Sequence, residues 1–397
     1  MVVTAALAAS IATAVAPRFP FPVVVIELLL GIVIGPEVLD IAHVNDFTNF
    51  FGALGLGMLF FFAGYEIDFE RIQGWPLRVA VLGWGVSLVL AYGVGGLLVA
   101  AGAIVSILYT GSAMATTAIG TLIPILRDAG ELRTRFGTYL LAAGAIGEFG
   151  PILLITLVLS TTHPFSHALI LLAFVALAVL TGVVAIRGAT AGWPALERTF
   201  EASTQLAIRM TVVLLAALIA LAYQLGLDLL LGGFVAGMIT RLALHDRELT
   251  IFESKLAAIG YGFLIPFFFI LSGMKFDVDS LFESATALLK LPLFLTLFLL
   301  VRGTPALLLY RRALPGRDRV ALAFYCSTEL PLVVAITAVA VATHHMRTST
   351  ASALVGAAIV STIVYPLVAL RLRRGRVLET EPEPQAPPEA PVSVPSG

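Results

Sequence analysis

Thirteen apolar runs, cut only by short charged or turn-rich breaks, leave this chain one medium in which to fold, a lipid bilayer. They cover about 2–16, 22–36, 50–65, 77–101, 103–126, 136–160, 165–186, 206–224, 226–242, 256–274, 284–309, 319–342 and 350–370. Charged residues make up 12% of the 397 and hydrophobic ones 59%, against roughly 25% charge in an ordinary soluble domain. The chain therefore reads as an all-α polytopic membrane protein. Its net charge of −1 gives no basic footprint for nucleic acid. A single cysteine, Cys326, excludes an internal disulfide and a cysteine-rich metal site. His344 and His345 read as a solvated loop pair, because no nearby acid or cysteine completes a metal site. The start, MVVTAALAASIATAVAPR, lacks the positive n-region of a signal peptide and reads as a first span. The proline-rich, acidic end from Glu379 has almost nothing to bury and is expected to be disordered.

Basic residues fix an orientation. Alternate loops hold Arg18; Arg71 and Arg78; Arg127, Arg133 and Arg135; Arg187, Arg198 and Arg209; Arg241, Arg247 and Lys255; Arg311, Arg312, Arg317 and Arg319; and Arg371, Arg373, Arg374 and Arg376. Of the 24 basic residues, only Lys275, Lys290 and Arg347 fall in the opposite set, and Arg302 lies within a span. Positive loops stay cytoplasmic, so the N-terminus is expected outside and the C-terminus inside a cell inner (plasma) membrane. An odd number of spans keeps that alternation intact.

One carboxylate sits deep in an otherwise uncharged run. Glu148 falls near the middle of YLLAAGAIGEFGPILLITLVLS, from Tyr139 to Ser160. An acid there costs at least ~2–3 kcal/mol on insertion scales, so it is expected to face water, a partner or a transported ion. Gly147, Gly150 and Pro151 thin the helix beside it and free backbone carbonyls. A proton or a metal cation can neutralise such a group, and the two compete for it. If only the neutralised site crosses the low-dielectric zone, obligate exchange follows without enzymatic chemistry. Glu27, just inside the second span, admits a structural or an access role. Glu66, Asp68 and Glu70 follow the third span on the basic side and are expected to be solvated.

The two halves repeat. Glu27-LLLGIVIG in the second span matches Asp228-LLLGGFVAG in the ninth, 201 residues on. Phe60-FFAGYEIDF resembles Phe267-FFILSGMKFDV, with Gly64 and Gly273 209 residues apart. Seven spans separate each pair, an odd number, so the copies face opposite ways, as in secondary transporters that bind substrate near the midplane. The same offset pairs span five with twelve. Span five carries Thr110, Ser112, Thr116 and Thr117 mid-run and Pro124 later; span twelve carries Ser327, Thr328, Glu329 and Pro331. Polar and proline interruptions in corresponding spans point to half-helices around an ion site, whose carbonyls and hydroxyls suit a hard monovalent cation.

These motifs resemble the monovalent cation:proton antiporters, the Kef- and NapA-like branch of the sodium/proton exchanger superfamily. The resemblance covers residues 1 to about 372. It rests on Glu27-LLLGIVIGP, GYEIDF at 64–69, ATTAIGTLIPILRDAG at 115–130, AIGEFGPILL at 145–154, PFFFILSGMKFDV at 266–278 and STELPLVVA at 327–335. It implies a homodimer of about 13 transmembrane helices, an inverted-topology repeat with two crossing discontinuous helices, the sodium/proton antiporter fold. By that likeness residues 1–75 and 205–282 form a dimerisation domain, and 76–160 and 283–371 a mobile core. Residues 161–204 would link them, and 372–397 would be a cytoplasmic tail too short for the nucleotide-sensing domain of Kef systems.

The family's carboxylate in span six often follows a second acid or an asparagine; here the pair is Gly147-Glu148. A single acid implies one-for-one exchange of Na⁺ or K⁺ for H⁺, with no cofactor. Glu148, Thr116 and Thr117 would bind the cation or proton. Arg302, at the family's basic position in span eleven, and Glu329 would balance core charge and half-helix dipoles. Ser112, Ser327 and Thr328 join Glu27 as access or structural residues. An organic-anion carrier of related fold, or a passive channel, are the alternatives; the lone central acid and the lack of a cationic cluster argue against both. No membrane HExxH, GxGD-type aspartate pair or Ser–His dyad suggests an intramembrane enzyme.

Overall fold

The computed structural model describes residues 1–15, 23–67, 69–159, 173, 174, 176, 177, 180, 205–225, 229–243, 246–282 and 285–374. The expected seventh span, the linker and the tail lie almost wholly outside these, as does Asp228 of the repeat motif. Among the described residues, the first half of the chain builds α1 (Val2–Val15), α2 (Val23–Ile34), α3 (Asp46–Tyr65), α4 (Trp75–Ala100), α5 (Ile107–Met114), α6 (Ile119–Asp128) and α7 (Arg135–Leu159). The second half builds α8 (Leu206–Gln224), α9 (Leu229–Ala243), α10 (from Asp246 to Met274), α11 (from Ala285 to Leu309), α12 (Gly316–Cys326), α13 (Pro331–Ala342) and α14 (Thr348–Arg373). Among the described residues, eight segments are long and apolar enough to cross a bilayer, and four shorter apolar ones accompany them. Helices dominate because in hydrocarbon each backbone N–H and C=O must find its partner within the segment.

Local chemistry sets the ends. Asn45 and Thr48 form a capping box at the start of α3, each side chain taking the other's backbone N–H at 2.9 Å. Gly102, with φ of 70°, turns the chain between α4 and α5. Spans five and twelve are broken as expected, α5 from α6 by residues 115–118 and α12 from α13 by residues 327–330. Spans ten and eleven carry an unexpected feature, a π-helical turn at Gly260–Leu264 in α10 and at Leu299–Gly303 in α11. Each is followed two residues later by proline, Pro266 or Pro305. A proline cannot donate to the preceding turn, which loosens the ladder there.

Loop contacts group at two ends of the helices. One end holds Glu66 with Arg127 (3.9 Å), Arg71 Nη2 donating to the Thr134 carbonyl (3.4 Å), and Arg373 with both Glu131 and Asp318. The other end holds the Val278 amide on Glu37, Lys290 on Thr350 (3.0 Å) and the Tyr109 ring against His345 (5.2 Å).

The inverted repeat appears as matched helix crossings, in a different register from the motif match. In the α2–α10 crossing, a methyl at Gly31 would strike the Ile270 carbonyl and one at Gly273 the Leu28 carbonyl. In the α3–α9 crossing, Gly237 meets the Phe61 carbonyl and Gly64 the Phe234 carbonyl in the same way. Phe61 and Gly64 thus correspond to Ile270 and Gly273, 209 residues on, as expected. Leu28 and Gly31 correspond to Phe234 and Gly237, 206 residues on rather than 201. The string LLLG recurs because leucine and glycine are common in such helices; backbone contact picks out the glycine that the crossing needs.

Candidate functional site

The two interrupted helices meet at their breaks. The Ala118 amide donates to the Thr328 carbonyl (2.8 Å) and the Thr117 amide to the Gly147 carbonyl (3.0 Å), which ties α5–α6, α12–α13 and α7 together. Two helix C-termini, of α5 and α12, and two N-termini, of α6 and α13, thereby converge inside the protein. Partial negative and positive charge is left there for side chains to answer.

Glu148 answers the N-terminus of α6. It is 1% exposed, and its carboxylate lies against the backbone of Ile119 and Gly120 at that N-terminus. Its Oε2 is buried without a hydrogen-bond partner. A buried carboxylate at a helix N-terminus with an unsatisfied oxygen is arranged to take up a proton or a cation.

Arg302 answers the C-terminus of α12, and a chain of dependencies puts it there. Pro305 cannot donate to the Val301 carbonyl; the buried Ser87 hydroxyl of α4 does so at 3.0 Å. Ser87 in turn accepts from Arg302 Nη1 at 3.2 Å. The Thr117 hydroxyl accepts from Nε (2.9 Å) and Nη2 (2.7 Å) and donates to the Cys326 carbonyl (2.5 Å). Nη2 also reaches the Ala143 carbonyl at 3.3 Å. A methyl at Gly147 would collide with Nη2 and lie 2.8 Å from Thr117 Oγ1. Glycine precedes Glu148 because the guanidinium fills the space a side chain would need.

Glu329 lies between α12 and α13, wholly buried, beside Thr116 and within the field of Arg302. Its backbone is clamped by α14: the Glu329 amide donates to Ser361 Oγ (3.1 Å), and Ser361 and Thr362 donate to its carbonyl (3.2 and 3.3 Å). The remaining expected residues spread outwards. The Thr116 hydroxyl donates to the Ala113 carbonyl (3.0 Å), Ser327 to Ala323 (2.7 Å) and Thr328 to Phe324 (3.2 Å). Ser112 pairs with Tyr92 at 3.0 Å, away from the crossing.

Glu27 is 3% exposed, with a buried Oε2 that has no partner. It lines a cavity of about 520 Å³ with Leu59, Gly120, Thr121, Tyr261 and Pro266. Gly120 forms part of that cavity's wall and also lies beside Glu148. Glu66 departs from the sequence expectation: it is not a solvated group, its side chain being only 13% exposed because α3, α6 and α7 close over it. Ser87, Ser361 and Tyr261 are further participants that sequence reasoning missed. Only the pairing of a lone serine with a proline-bearing helix could have suggested the first.

A fold of this kind, with crossed broken helices around a buried acid, defines a membrane transporter core. The sequence profile described as "Sodium/hydrogen exchanger, transmembrane" matches residues 4–371, and the chain belongs to that family. It is 27% identical over 386 residues to the Bacillus subtilis protein named "Putative Na(+)/H(+) antiporter YjbQ"; the match covers 92% of this chain but 61% of that protein. It is 25% identical over 272 residues to the "Na(+)/H(+)-K(+) antiporter GerN" of Bacillus cereus, covering 66% and 68% of the two chains. Among solved structures, the sodium proton antiporter MjNhaP1 of Methanocaldococcus jannaschii at pH 8 has the same fold. Its TM-score is 0.66 at 17% identity, over 93% of this chain and 94% of that one.

Proposed function

We propose that this protein exchanges a monovalent cation, sodium or potassium, for protons, one for one, by alternating access across a cell inner membrane. Its arginine-rich loops would lie in the cytoplasm. The observation that carries the reading is the Glu148 carboxylate, buried at the helix crossing against the N-terminus of α6 with one oxygen unsatisfied. Relatives named for Na⁺/H⁺ and Na⁺/H⁺–K⁺ antiport support the choice of ions.

In this reading Glu148 takes a proton or a dehydrated cation, never both, and the site moves only when neutralised. Thr116, through its hydroxyl and its carbonyl at the α5–α6 break, completes the cation's oxygen shell. Thr117 belongs to the same site, but its hydroxyl serves Arg302. That guanidinium balances Glu329 and the α12 terminus. Spans four to six and eleven to thirteen form the moving core against a scaffold of spans one to three and eight to ten, which self-associates. The cavity at Glu27 is the approach for the hydrated ion, with Glu27 attracting it and Ser327 and Thr328 keeping α12 helical up to its break.

Proteoliposomes loaded with a pH dye test this. Cation-driven proton flux is expected to vanish in Glu148→Gln and to persist in Glu27→Gln with a raised half-saturating cation concentration. Full exchange by Glu148→Gln would sink the reading.

A further inference from the structure

The cavity at Glu27 is more apolar than the approach of a hydrated ion requires. Its volume of about 520 Å³ falls in the range of sites that enclose a small organic molecule. One wall comes from α1, α2, α3 and α10, and the other from Gly120, Thr121 and Ile125 of α6. The first wall is mostly hydrocarbon. Val2, Ala5, Ala6 and Ala9 share one face of α1, and Phe263 and Phe267 of α10 lie in the same lining. Such a surface offers no oxygen to a cation that is shedding its water.

Two polar side chains interrupt that wall, Glu27 and Tyr261, the latter in the π-helical turn of α10. Each keeps a buried oxygen, Oε2 and the phenol oxygen, without a hydrogen-bond partner. Among the described residues that line the cavity, Glu27 is the one acid and no base answers it. A buried carboxylate without a partner favours a cation beside it. Carboxylate and phenol oxygens both accept hydrogen bonds, and an ammonium group carries three donors and no acceptor. The lining therefore suits a donor cation whose remainder is hydrocarbon. An alkali ion uses the carboxylate and leaves the apolar wall idle; an alkylammonium uses both.

We propose that this cavity binds an amphiphilic monoamine, with its ammonium on Glu27 and Tyr261 and its alkyl chain along the alanine face of α1, and that the bound amine blocks exchange. Gly120 lies in the cavity wall and beside Glu148, so an occupant stands between the cation and its site. It is also wedged between α6, on the moving core, and the scaffold helices α1, α2 and α10. The block rests on the proposed exchange at Glu148 by way of this cavity; the binding does not.

Butylammonium, hexylammonium and octylammonium chloride serve as probes, with octanol as the uncharged control. Thermal unfolding of the purified protein reads binding. Radioactive sodium self-exchange in proteoliposomes, at equal pH on both faces, reads the block with no proton gradient for a weak base to collapse. Octylammonium is expected to raise the unfolding temperature and to inhibit, with potency growing about fourfold per added methylene. Glu27→Gln is expected to weaken every amine by at least about 10-fold and to keep that slope. Tyr261→Phe keeps the ring stack on Phe62 and is expected to cost about fivefold. Gly262→Leu adds a side chain to the cavity lining where nothing obstructs it, and is expected to flatten the slope by weakening octylammonium more than butylammonium. If octanol matches octylammonium, or Glu27→Gln stays fully sensitive, the cavity holds a neutral chain and the amine site is overturned. Stabilisation that depends on Glu27 while exchange continues undisturbed would keep the amine site and remove the cation's path through this cavity instead.

Discussion

Gly147 and Arg302 make a matched pair, and replacing either should be felt through the other. In Gly147→Ala the new methyl occupies the position of Arg302 Nη2, so the guanidinium must withdraw from Thr117 (2.7 Å) and from the Ala143 carbonyl (3.3 Å). Hydrogen bonds to a charged group contribute about 1.5–3 kcal/mol each. With the longer bond at the low end, the loss is about 3–4 kcal/mol. Alanine returns about 1 kcal/mol of helix propensity inside α7, leaving a net cost of about 2–3 kcal/mol. Arg302→Lys is destabilising for its own reasons, because one ammonium cannot reach Thr117, Ser87 and Ala143 together. It also vacates the Nη2 position, so the methyl no longer displaces a guanidinium in the double variant. The double variant should then be more stable than the sum of the singles by about 2 kcal/mol. Unfolding of the four purified proteins in one detergent measures this. Additivity within about 0.5 kcal/mol, or a stabilising Gly147→Ala, would refute the steric argument.

Arg373 donates two hydrogen bonds of 2.7 Å to Glu131 and forms an ion pair with Asp318 at 2.9 Å, all buried, with its guanidinium 3.9 Å above the Phe136 ring. Arg373→Ala strands two buried acids and is expected to cost about 3–5 kcal/mol; Arg373→Lys should recover only part, because the paired geometry needs a planar fork. Thermal unfolding reads both variants, and a change within about 0.5 kcal/mol would show the cluster to be solvated in practice. Native mass spectrometry of protein released from mild detergent is expected to give a dimer. A monomer at all concentrations would remove self-association from the proposal.

The architecture was written in the chain because the bilayer enforces it. Length and polarity of the runs mark the apolar spans, and polar interruptions near Thr116 and Ser327 mark where helices break. Glu148 was legible for the same reason: a charge in an apolar run needs no tertiary information to stand out. The repeat was legible as a pattern, but not in register, since Gly31 and Gly237 are paired by a backbone crossing and not by the letters around them.

What the tertiary structure alone decided is how polar groups are shared. Thr116 and Thr117 are adjacent and alike in sequence, yet one hydroxyl turns back to the Ala113 carbonyl and the other is held by Arg302. Glu66 reads as one of three surface acids until α6 and α7 close over it. Ser87 reads as an inert hydroxyl until Pro305, more than two hundred residues away, leaves a carbonyl for it. Hydrophobicity is a property of each residue and survives in one dimension. Hydrogen-bond satisfaction belongs to pairs, and a sequence does not say which pairs will meet.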